Sequence, residues 1–306
     1  MKILDSLNKI PVDEIFSLTI GNFDGVHLGH QKLIHDMRMI SATPNIKTAV
    51  VSFVPHPRLI LDPSARSFLI YNAELKRKAL EKLGVDYYIE LPFSRDFSAL
   101  SPQSFLEDYI FVHPGLKHFF LGFDLRLGSQ ISGYFDLAQK ICLNKNISIH
   151  QLSSYANQAG QIISSTLIRE LIFEGKIKEA NSYLSIPFSI SSLVVKGEGR
   201  GKKIGFPTAN IDIPLSQVLP KAGVYVSTVT LRGNQYQSIT NIGVNPTFAT
   251  VKNIQVETHI MNFSQDIYGE IIEVTLFDFI RPEKKFGGLD ELLAQIKIDC
   301  EYRNGL

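Results

Sequence analysis

The chain of 306 residues contains no tryptophan and only two cysteines, Cys142 and Cys300. Two cysteines so far apart are too few for a disulfide framework and lack the spacing of a metal site. Positive and negative side chains are nearly equal in number, with 31 Lys and Arg and 30 Asp and Glu. Nothing in this balance would neutralise the phosphates of a nucleic acid, so we expect no nucleic-acid partner. A small phosphate-bearing ligand needs only local charge.

Long apolar runs are also missing from the sequence. No uninterrupted apolar stretch approaches the roughly 18 residues that a membrane helix needs, and Asp5 interrupts the apolar residues of the first segment, which is unlike a signal peptide. We therefore expect a cytoplasmic protein with no membrane partner. The length corresponds to about two domains, and the sequence leaves the oligomeric state open.

In the first half of the chain, short apolar runs alternate with helical patterns. The runs FSLTI and KTAVVSFV are predicted strands, and GHQKLIHDMRMISAT between them is a predicted helix with Leu33, Ile34 and Met37 on its apolar face. This alternation is typical of a parallel α/β sheet. The prediction is a Rossmann-like, doubly wound parallel sheet up to about residue 150.

The pattern changes from Ile186 onward. Short alternating strands separated by Gly, Asn and Pro turns predict a small antiparallel β-barrel. The final segment, GGLDELLAQIKIDCEYRNG, predicts a helix that packs on the barrel. We place the domain boundary near Ser185, which gives a first domain over 1–185 and a second over 186–306.

The stretch TIGNFDGVHLGH, from Thr19 to His30, directly follows a predicted strand. Open parallel sheets bind ligands beyond the carboxyl ends of their strands, where helix N-termini supply backbone N–H groups and a positive dipole. The spacing of three places His27 and His30 on one face of a helix. Taken alone, the pair fits a metal site or two surface histidines. The zincin pattern, with histidines four apart and a glutamate between them, is absent.

The segment GEGRGKKIGFPTANI is a glycine-rich basic loop that enters a strand, and it fits no Walker A frame. A mobile turn with solvated charges explains the loop alone equally well. Thr208 and Asn210, however, are oxygen donors two apart on a strand and therefore face the same side. Their residue types suit Mg²⁺, which prefers a few protein oxygens together with substrate phosphates and water. Glu257, taken alone, fits an exposed strand glutamate.

Four motifs occur in order along the chain: GNFDGVHLGHQ, SFVPHPR, ISSTLIRE and GRGKKIGFPTANI. The first resembles the HxGH signature of the nucleotidyltransferase superfamily, and the four together resemble the prokaryotic bifunctional riboflavin kinase/FAD synthetase family over nearly all 306 residues. The resemblance implies an N-terminal FMN adenylyltransferase and a C-terminal riboflavin kinase. Riboflavin, FMN and ATP are then the expected small-molecule partners, and Mg²⁺ is the expected cofactor, bound together with ATP. FMN and FAD are the expected products.

The resemblance also implies roles for residues of the first domain. His27 and His30 are expected to stabilise the α-phosphate of ATP in the transition state of adenylyl transfer. The other residues expected to bind ATP are Gly21, Asn22, Phe23, Asp24, Gly25, Gly29, Ser164, Ser165, Thr166 and Arg169. The residues expected near the flavin or its phosphate are His56, Asp124 and Arg126.

For the second domain the resemblance implies a complete kinase site. Glu257 is expected to act as the general base toward the ribityl 5′-hydroxyl, and Thr208 and Asn210 to hold Mg²⁺. The expected phosphate loop consists of Gly197, Gly199, Arg200, Gly201, Lys203 and Gly205. Arg281 and Phe286 are expected to contact flavin or nucleotide.

Two positions depart from the family pattern, since Ile131 and Leu167 stand where arginine is usual. Without those two arginines the chain lacks up to two bidentate phosphate contacts, each a charge-assisted bond worth roughly 1.5 to 3 kcal/mol. The alternative is therefore a riboflavin kinase whose first domain only binds or regulates. Retention of His27 and His30 favours two activities over that alternative.

Overall fold

The computed structural model describes residues 1–305 except 42–44, 63, 65–66, 123–133, 198, 200, 202–203, 215 and 246–252, and it describes 244, 245 and 253 by their backbone alone. The chain divides into two compact units. One comprises Met1–Arg66 and Ala73–Ser165, and the other comprises Ser67–Asn72 and Thr166–Leu306. Five residues singled out from the sequence lie outside the described residues: Asp124, Arg126, Ile131, Arg200 and Lys203.

The first unit is built on a parallel sheet. Its strands are β1 (Lys2–Leu4), β2 (Ile15–Ile20), β3 (Ile46–Val54), β4 (Tyr87–Pro92), β5 (Leu116–Leu121) and β6 (Ser148–Gln151). Within the described residues they form one six-stranded sheet in the order β1-β4-β3-β2-β5-β6, and each neighbouring pair is parallel. The predicted Rossmann-like architecture is confirmed.

The helices of the first unit follow the apolar periodicity of the sequence. They are α1 (Leu28–Ile40), α2 (Pro57–Leu61), α3 (Ala73–Lys82), α4 (Arg95–Ser98), α5 (Pro102–Phe105) and α6 (Tyr134–Asn144), with a 3₁₀ turn at Leu7–Lys9 and a π-helical turn at Leu106–Ile110. As predicted, α1 buries Leu33, Ile34 and Met37. Among the helices of the described residues, none combines the length and the apolar character that crossing a membrane requires.

The position of β2 in the sheet defines where a ligand can bind. β2 pairs with β3 on one side and with β5 on the other. The chain therefore leaves β2 toward one half of the sheet and later returns to build the other half. In open α/β sheets, the crevice at the carboxyl ends of two such strands is the usual ligand site. Gly21 is the first residue after β2 and lies at this point.

The second unit is built on a β-barrel. Its strands are β7 (Ser189–Val195), β8 (Ala209–Ile211), β9 (Gly223–Leu231), β10 (Asn234–Asn245), β11 (Asn253–Ile260) and β12 (Ile271–Arg281). Within the described part of the chain they close in the order β10-β11-β8-β7-β12-β9, and all pairs are antiparallel. Helices α7 (Ser165–Phe173) and α8 (Ile177–Tyr183) precede the barrel, and α9 (Leu289–Asn304) packs against β10. The predicted barrel with a C-terminal helix is confirmed.

A short segment from the first half of the chain belongs to the barrel unit. This segment, Ser67–Asn72, is separated by more than a hundred residues from the chain it contacts. The backbone N–H of Leu69 donates to the carbonyl of Ser216 at 2.7 Å. The buried side chain of Gln217 donates from Nε2 to the carbonyl of Ile70 at 3.2 Å. The segment therefore forms hydrogen bonds with both the main chain and a side chain of the barrel unit.

Candidate active sites

The turn after β2 has an unusual backbone conformation. Phe23 has φ = 49°, Gly25 has φ = 80° and Val26 has φ = 38°. Positive φ is uncommon for a residue with a side chain, and a bulky or β-branched residue there is strained. Phe23 and Val26 are nevertheless buried. Strain of this kind persists only where the surrounding structure imposes it, and it concentrates at active sites.

Side chains from other elements hold this turn by its main-chain carbonyls. The carbonyl of Asn22 accepts hydrogen bonds from Oγ of Ser52 at 3.1 Å and from Nζ of Lys76 at 3.2 Å. Oγ of Ser165 donates to the carbonyl of Asp24 at 2.9 Å. The structure thus brings Ser165, one of the residues expected to bind ATP, to the glycine turn.

The two histidines of the turn lie against each other. His27 caps α1, and its ring stacks on that of His30 with 3.7 Å between the centroids. A Cβ at Gly29 would come within 3.1 Å of the His27 ring, so glycine makes room for the stack. Phe23 packs against His30 with the ring centroids 4.8 Å apart.

His30 is suited to act as a neutral hydrogen-bond donor. Burial of its ring, followed by the charges of His27 and Lys76, holds the pKa of His30 well below its ordinary value. Its Nδ1 is buried and has no hydrogen-bond partner among the described residues. A neutral imidazole carries one N–H donor and one acceptor. The ring can therefore point an N–H at a phosphate oxygen near neutral pH.

The remaining residues predicted for the first site have structural contacts of their own. His56 caps α2, where its Nδ1 accepts a hydrogen bond from the backbone N–H of Arg58 at 3.1 Å. Arg169 belongs to the second unit, where its Nε donates to the carbonyl of Phe68 at 2.7 Å. Thr166 is exposed on α7 and Leu167 is buried there. Leu167, where the resemblance leads us to expect arginine, is thus a buried apolar side chain.

The barrel unit contains a cavity of about 260 Å³. Residues predicted for the kinase site line it, and these are Gly201, Thr208, Glu257, Arg281 and Phe286. Oγ1 of Thr208 donates a hydrogen bond to a carboxylate oxygen of Glu257 at 3.3 Å. Asn210 lies opposite Glu257 in the β8–β11 register. Thr208, directly before β8, and Asn210, on β8, are therefore both neighbours of Glu257 on β11.

Two glycines allow the loop before β8 to lie close to these strands. A Cβ at Gly197 would come within 2.2 Å of the side-chain nitrogen of Asn210. A Cβ at Gly201 would come within 2.3 Å of the carbonyl oxygen of Phe206. Gly199 and Gly205 have positive φ, at 68° and 83°. The glycines of the predicted phosphate loop are thus required by close approach or by backbone conformation.

A buried ion pair holds Arg281 at the cavity. Its Nε and Nη2 bind the carboxylate of Asp299 on α9, with closest distances of 3.0 and 2.7 Å. Asp299 is 1% exposed and also accepts a hydrogen bond from Gln295 at 3.0 Å. The guanidinium lies 5.8 Å from the ring centroid of Phe286. The ion pair fixes Arg281 at the cavity wall beside the aromatic ring.

Among the residues of these sites that were not selected from the sequence are Lys76, His259 and Asp299. His259 follows Glu257 by two on β11 and lines the same cavity, where its Nδ1–H donates to the carbonyl of Pro207 at 2.8 Å. The period of two along a strand was the available signal. Lys76 precedes Ala79 and Leu80 by three and four residues, which places a charged residue on the apolar face of α3.

The fold and the two sites together define the class of protein. A histidine pair at the switch point of an α/β sheet and an oxygen-donor cluster beside a barrel cavity suit two transferases that act on phosphates. The FAD synthetase family model matches residues 9–167, and the riboflavin kinase family model matches residues 184–305. The chain belongs to the bifunctional riboflavin kinase/FMN adenylyltransferase family.

Two relatives can be aligned with almost the whole chain. A bifunctional riboflavin kinase/FMN adenylyltransferase from Listeria monocytogenes is 38% identical over 92% of this chain and 89% of its own length. The protein of that name from Escherichia coli is 36% identical over 92% of this chain and 90% of its own length. Both domains are present in the chain, which supports two activities over the kinase-only alternative.

A solved structure has the same fold along its whole length. It is described as a macrolide-efflux protein from Streptococcus pneumoniae, is 29% identical, and has a TM-score of 0.86 over 100% of this chain and 99% of that one. Efflux is a description of that protein. The family models matched by this chain are those of a kinase and a synthetase.

Proposed function

We propose that the chain phosphorylates riboflavin to FMN in its barrel domain and transfers the adenylyl group of ATP to FMN, forming FAD and pyrophosphate, in its α/β domain. The proposal assigns residues 1–185 to the adenylyltransferase and 186–306 to the kinase. The observation that carries it is the presence in one chain of the stacked His27–His30 pair and the Thr208–Glu257 hydrogen bond. The names of the relatives support the same two activities.

In the kinase reaction, Glu257 removes the proton of the ribityl 5′-hydroxyl as its oxygen attacks the γ-phosphorus of ATP, and ADP leaves. A carboxylate can do this only within hydrogen-bond reach of that proton, and Glu257 lines the cavity. Thr208 and Asn210 would hold Mg²⁺, because hydroxyl and amide oxygens fit its preference for hard donors, and a bound ion would supply positive charge to neutralise the phosphates. The loop from Gly197 to Gly205, including Arg200 and Lys203, covers the phosphates.

Adenylyl transfer begins when a phosphate oxygen of FMN attacks the α-phosphorus of ATP, and it ends when pyrophosphate leaves. The FMN phosphate is largely dianionic near pH 7, because its second pKa is about 6, so no general base is needed. Imidazole N–H donors of His27 and His30 stabilise the charge that develops on the α-phosphate oxygens. The remaining contacts proposed for ATP and FMN are Gly21, Asn22, Asp24, Ser164, Ser165, Thr166, Arg169, His56, Asp124 and Arg126.

The proposed partners are riboflavin, FMN and ATP alone, without nucleic acid or membrane, in the cytoplasm. The test incubates purified protein with riboflavin, ATP and magnesium and separates the flavins by chromatography over time. FMN that appears first and is then converted to FAD is the expected result. FMN that accumulates without FAD, even when FMN is the substrate supplied, would favour the kinase-only alternative. Absence of both products would overturn the proposal.

A further inference from the structure

Lys76 is an unusual residue for the interior of a protein. It lies on α3 and is 8% exposed, among the buried residues Leu75, Ala79 and Leu80 of the same helix. Lysine is almost never fully buried unless its charge is paired, because removing an ammonium group from water costs free energy. Burial lowers the pKa of Lys76, and the nearby negative charge of Asp24 opposes this.

The hydrogen bonds of Lys76 go to neutral oxygens. Its Nζ donates to the carbonyl of Asn22 at 3.2 Å and to Oγ of Ser52 at 3.1 Å. The neighbouring carboxylate of Glu90 is instead bound by Arg77, with distances of 2.9 and 2.5 Å. A direct ion pair between Lys76 and a carboxylate is not among the contacts of the described residues. The charge of Lys76 is therefore not explained by a salt bridge.

The position of Lys76 beside the strained turn suggests what the charge does. The Asn22 carbonyl immediately precedes Phe23, whose positive φ must be imposed by its surroundings. Oγ of Ser52 also donates to the Asn22 carbonyl. Side chains from two elements, Ser52 on β3 and Lys76 on α3, therefore bind the same carbonyl oxygen. Lys76 also acts through space on His30 and contributes, after burial and His27, to the lowered pKa of that imidazole.

We propose that Lys76 is a positioning residue for adenylyl transfer: its buried ammonium fixes the carbonyl of Asn22, and with it the turn that presents His27 and His30, and it places a positive charge beside that pair. The inference rests on the adenylyltransferase function proposed above. It assigns Lys76 no contact with substrate, because Lys76 acts through the turn and through the electrostatic potential at His30.

The first test compares Lys76→Met with Lys78→Met in the full-length chain. Lys78 is on the same helix, but its side chain is 50% exposed and pairs with Glu74, so the control removes one charge from the solvated face. We expect Lys76→Met to lower kcat for FAD formation about 100-fold, because a misplaced catalytic group costs about this factor. FMN formation by the same protein should be unchanged. Methionine carries no charge to desolvate, so the melting temperature should not fall.

A second readout does not depend on turnover. The imidazole signals of the eight histidines are titrated by NMR, and His30 is assigned from the spectrum of His30→Gln. A nearby cation disfavours the imidazolium form, so Lys76→Met should raise the pKa of His30. Lys76→Arg keeps the positive charge but changes the shape of the charged group. It should preserve the low pKa of His30 while still slowing FAD formation.

The outcomes separate the two proposals. If wild-type protein forms no FAD from FMN, the proposed function fails, and the His30 titration alone then decides the role of Lys76. If wild-type protein forms FAD and Lys76→Met forms it at the same rate with the same His30 titration, the inference about Lys76 is overturned. A lower melting temperature with loss of both activities and an unchanged His30 titration would make Lys76 a structural residue and would also overturn it.

Discussion

The hydroxyl of Thr208 donates a hydrogen bond to the carboxylate of Glu257 across 3.3 Å. This bond joins a residue predicted to hold Mg²⁺ to the residue predicted to remove a proton. A threonine that donates to a carboxylate keeps its oxygen lone pairs available to a cation. The same contact can therefore orient the base and leave a ligand for the metal.

Replacement of Glu257 by glutamine removes the proposed base and preserves the shape of the side chain. We expect FMN formation from riboflavin to fall about 10²- to 10⁴-fold, which is the usual contribution of general-base catalysis. FAD formation from supplied FMN should continue at the wild-type rate. Chromatography of the flavins measures both rates in one preparation, and an unchanged rate of FMN formation would exclude Glu257 as the base.

His30→Ala should produce the opposite pattern. Loss of one donor to a developing charge typically costs about 10²- to 10³-fold in kcat, so FAD formation should fall by this factor and FMN formation should persist. His35→Ala is the matched control, because His35 is an exposed histidine on the same helix. Equal rates of FAD formation in the two variants would contradict the role given to His30.

Gly197→Ala tests the proposed magnesium site through its geometry. A Cβ at this position would overlap the Asn210 amide, at 2.2 Å from its nitrogen, so the amide must move. We expect a higher magnesium concentration at half-maximal FMN formation, measured by magnesium titration at saturating ATP. Gly288→Ala is the control, because a Cβ at Gly288 meets nothing within 4 Å. An unchanged magnesium requirement in Gly197→Ala would argue against Asn210 as a ligand.

Asp299→Asn breaks the buried ion pair that holds Arg281. An uncompensated buried guanidinium costs about 3 to 5 kcal/mol, so the barrel unit should unfold at lower urea concentration. Glu301→Gln removes an exposed carboxylate of the same helix and should leave the unfolding midpoint within experimental error. Equal unfolding midpoints for the two variants would show that the pair contributes nothing net to stability.

Stability should fall on mild acidification. Burial lowers the pKa values of His30, His118 and His150 in the folded chain. Protons then bind more strongly to the unfolded state below the ordinary histidine pKa of about 6.5, so stability is complete above that pH and is lost as pH falls. Urea unfolding between about pH 5 and 7.5 measures this. His118→Gln should flatten the slope, and a slope as steep as that of wild type would contradict the assignment.

The order of elements could be predicted because the apolar pattern changes period along the chain. Gly175, which has φ = 77°, separates α7 from α8. Strand β1 was missed, because its three residues are too few to show an alternation. The bridge between Leu69 and Gln217 could not be predicted, since no local pattern pairs residues so distant in sequence.

The candidate sites were predictable where chemistry is carried by sequence motifs, as in the glycine turn and the PTAN strand. Residues that act through tertiary contacts were missed. Asp299 and Lys76 were missed because a charged residue on a helix is usually solvated, whereas these two side chains are buried. His259 was missed because its hydrogen bond goes to the carbonyl of Pro207, which is distant in the sequence.

The six residues Ser67–Asn72 have a practical consequence for dissecting the protein. A fragment cut at the predicted boundary and starting at residue 186 would keep all six barrel strands of the described chain but lose this segment. Gln217 would then lose the acceptor that Ile70 provides, inside a buried environment. The stability or kinase rate of such a fragment would therefore measure an incomplete folding unit. The compact unit that contains the barrel is therefore discontinuous in the sequence, although it is continuous in space.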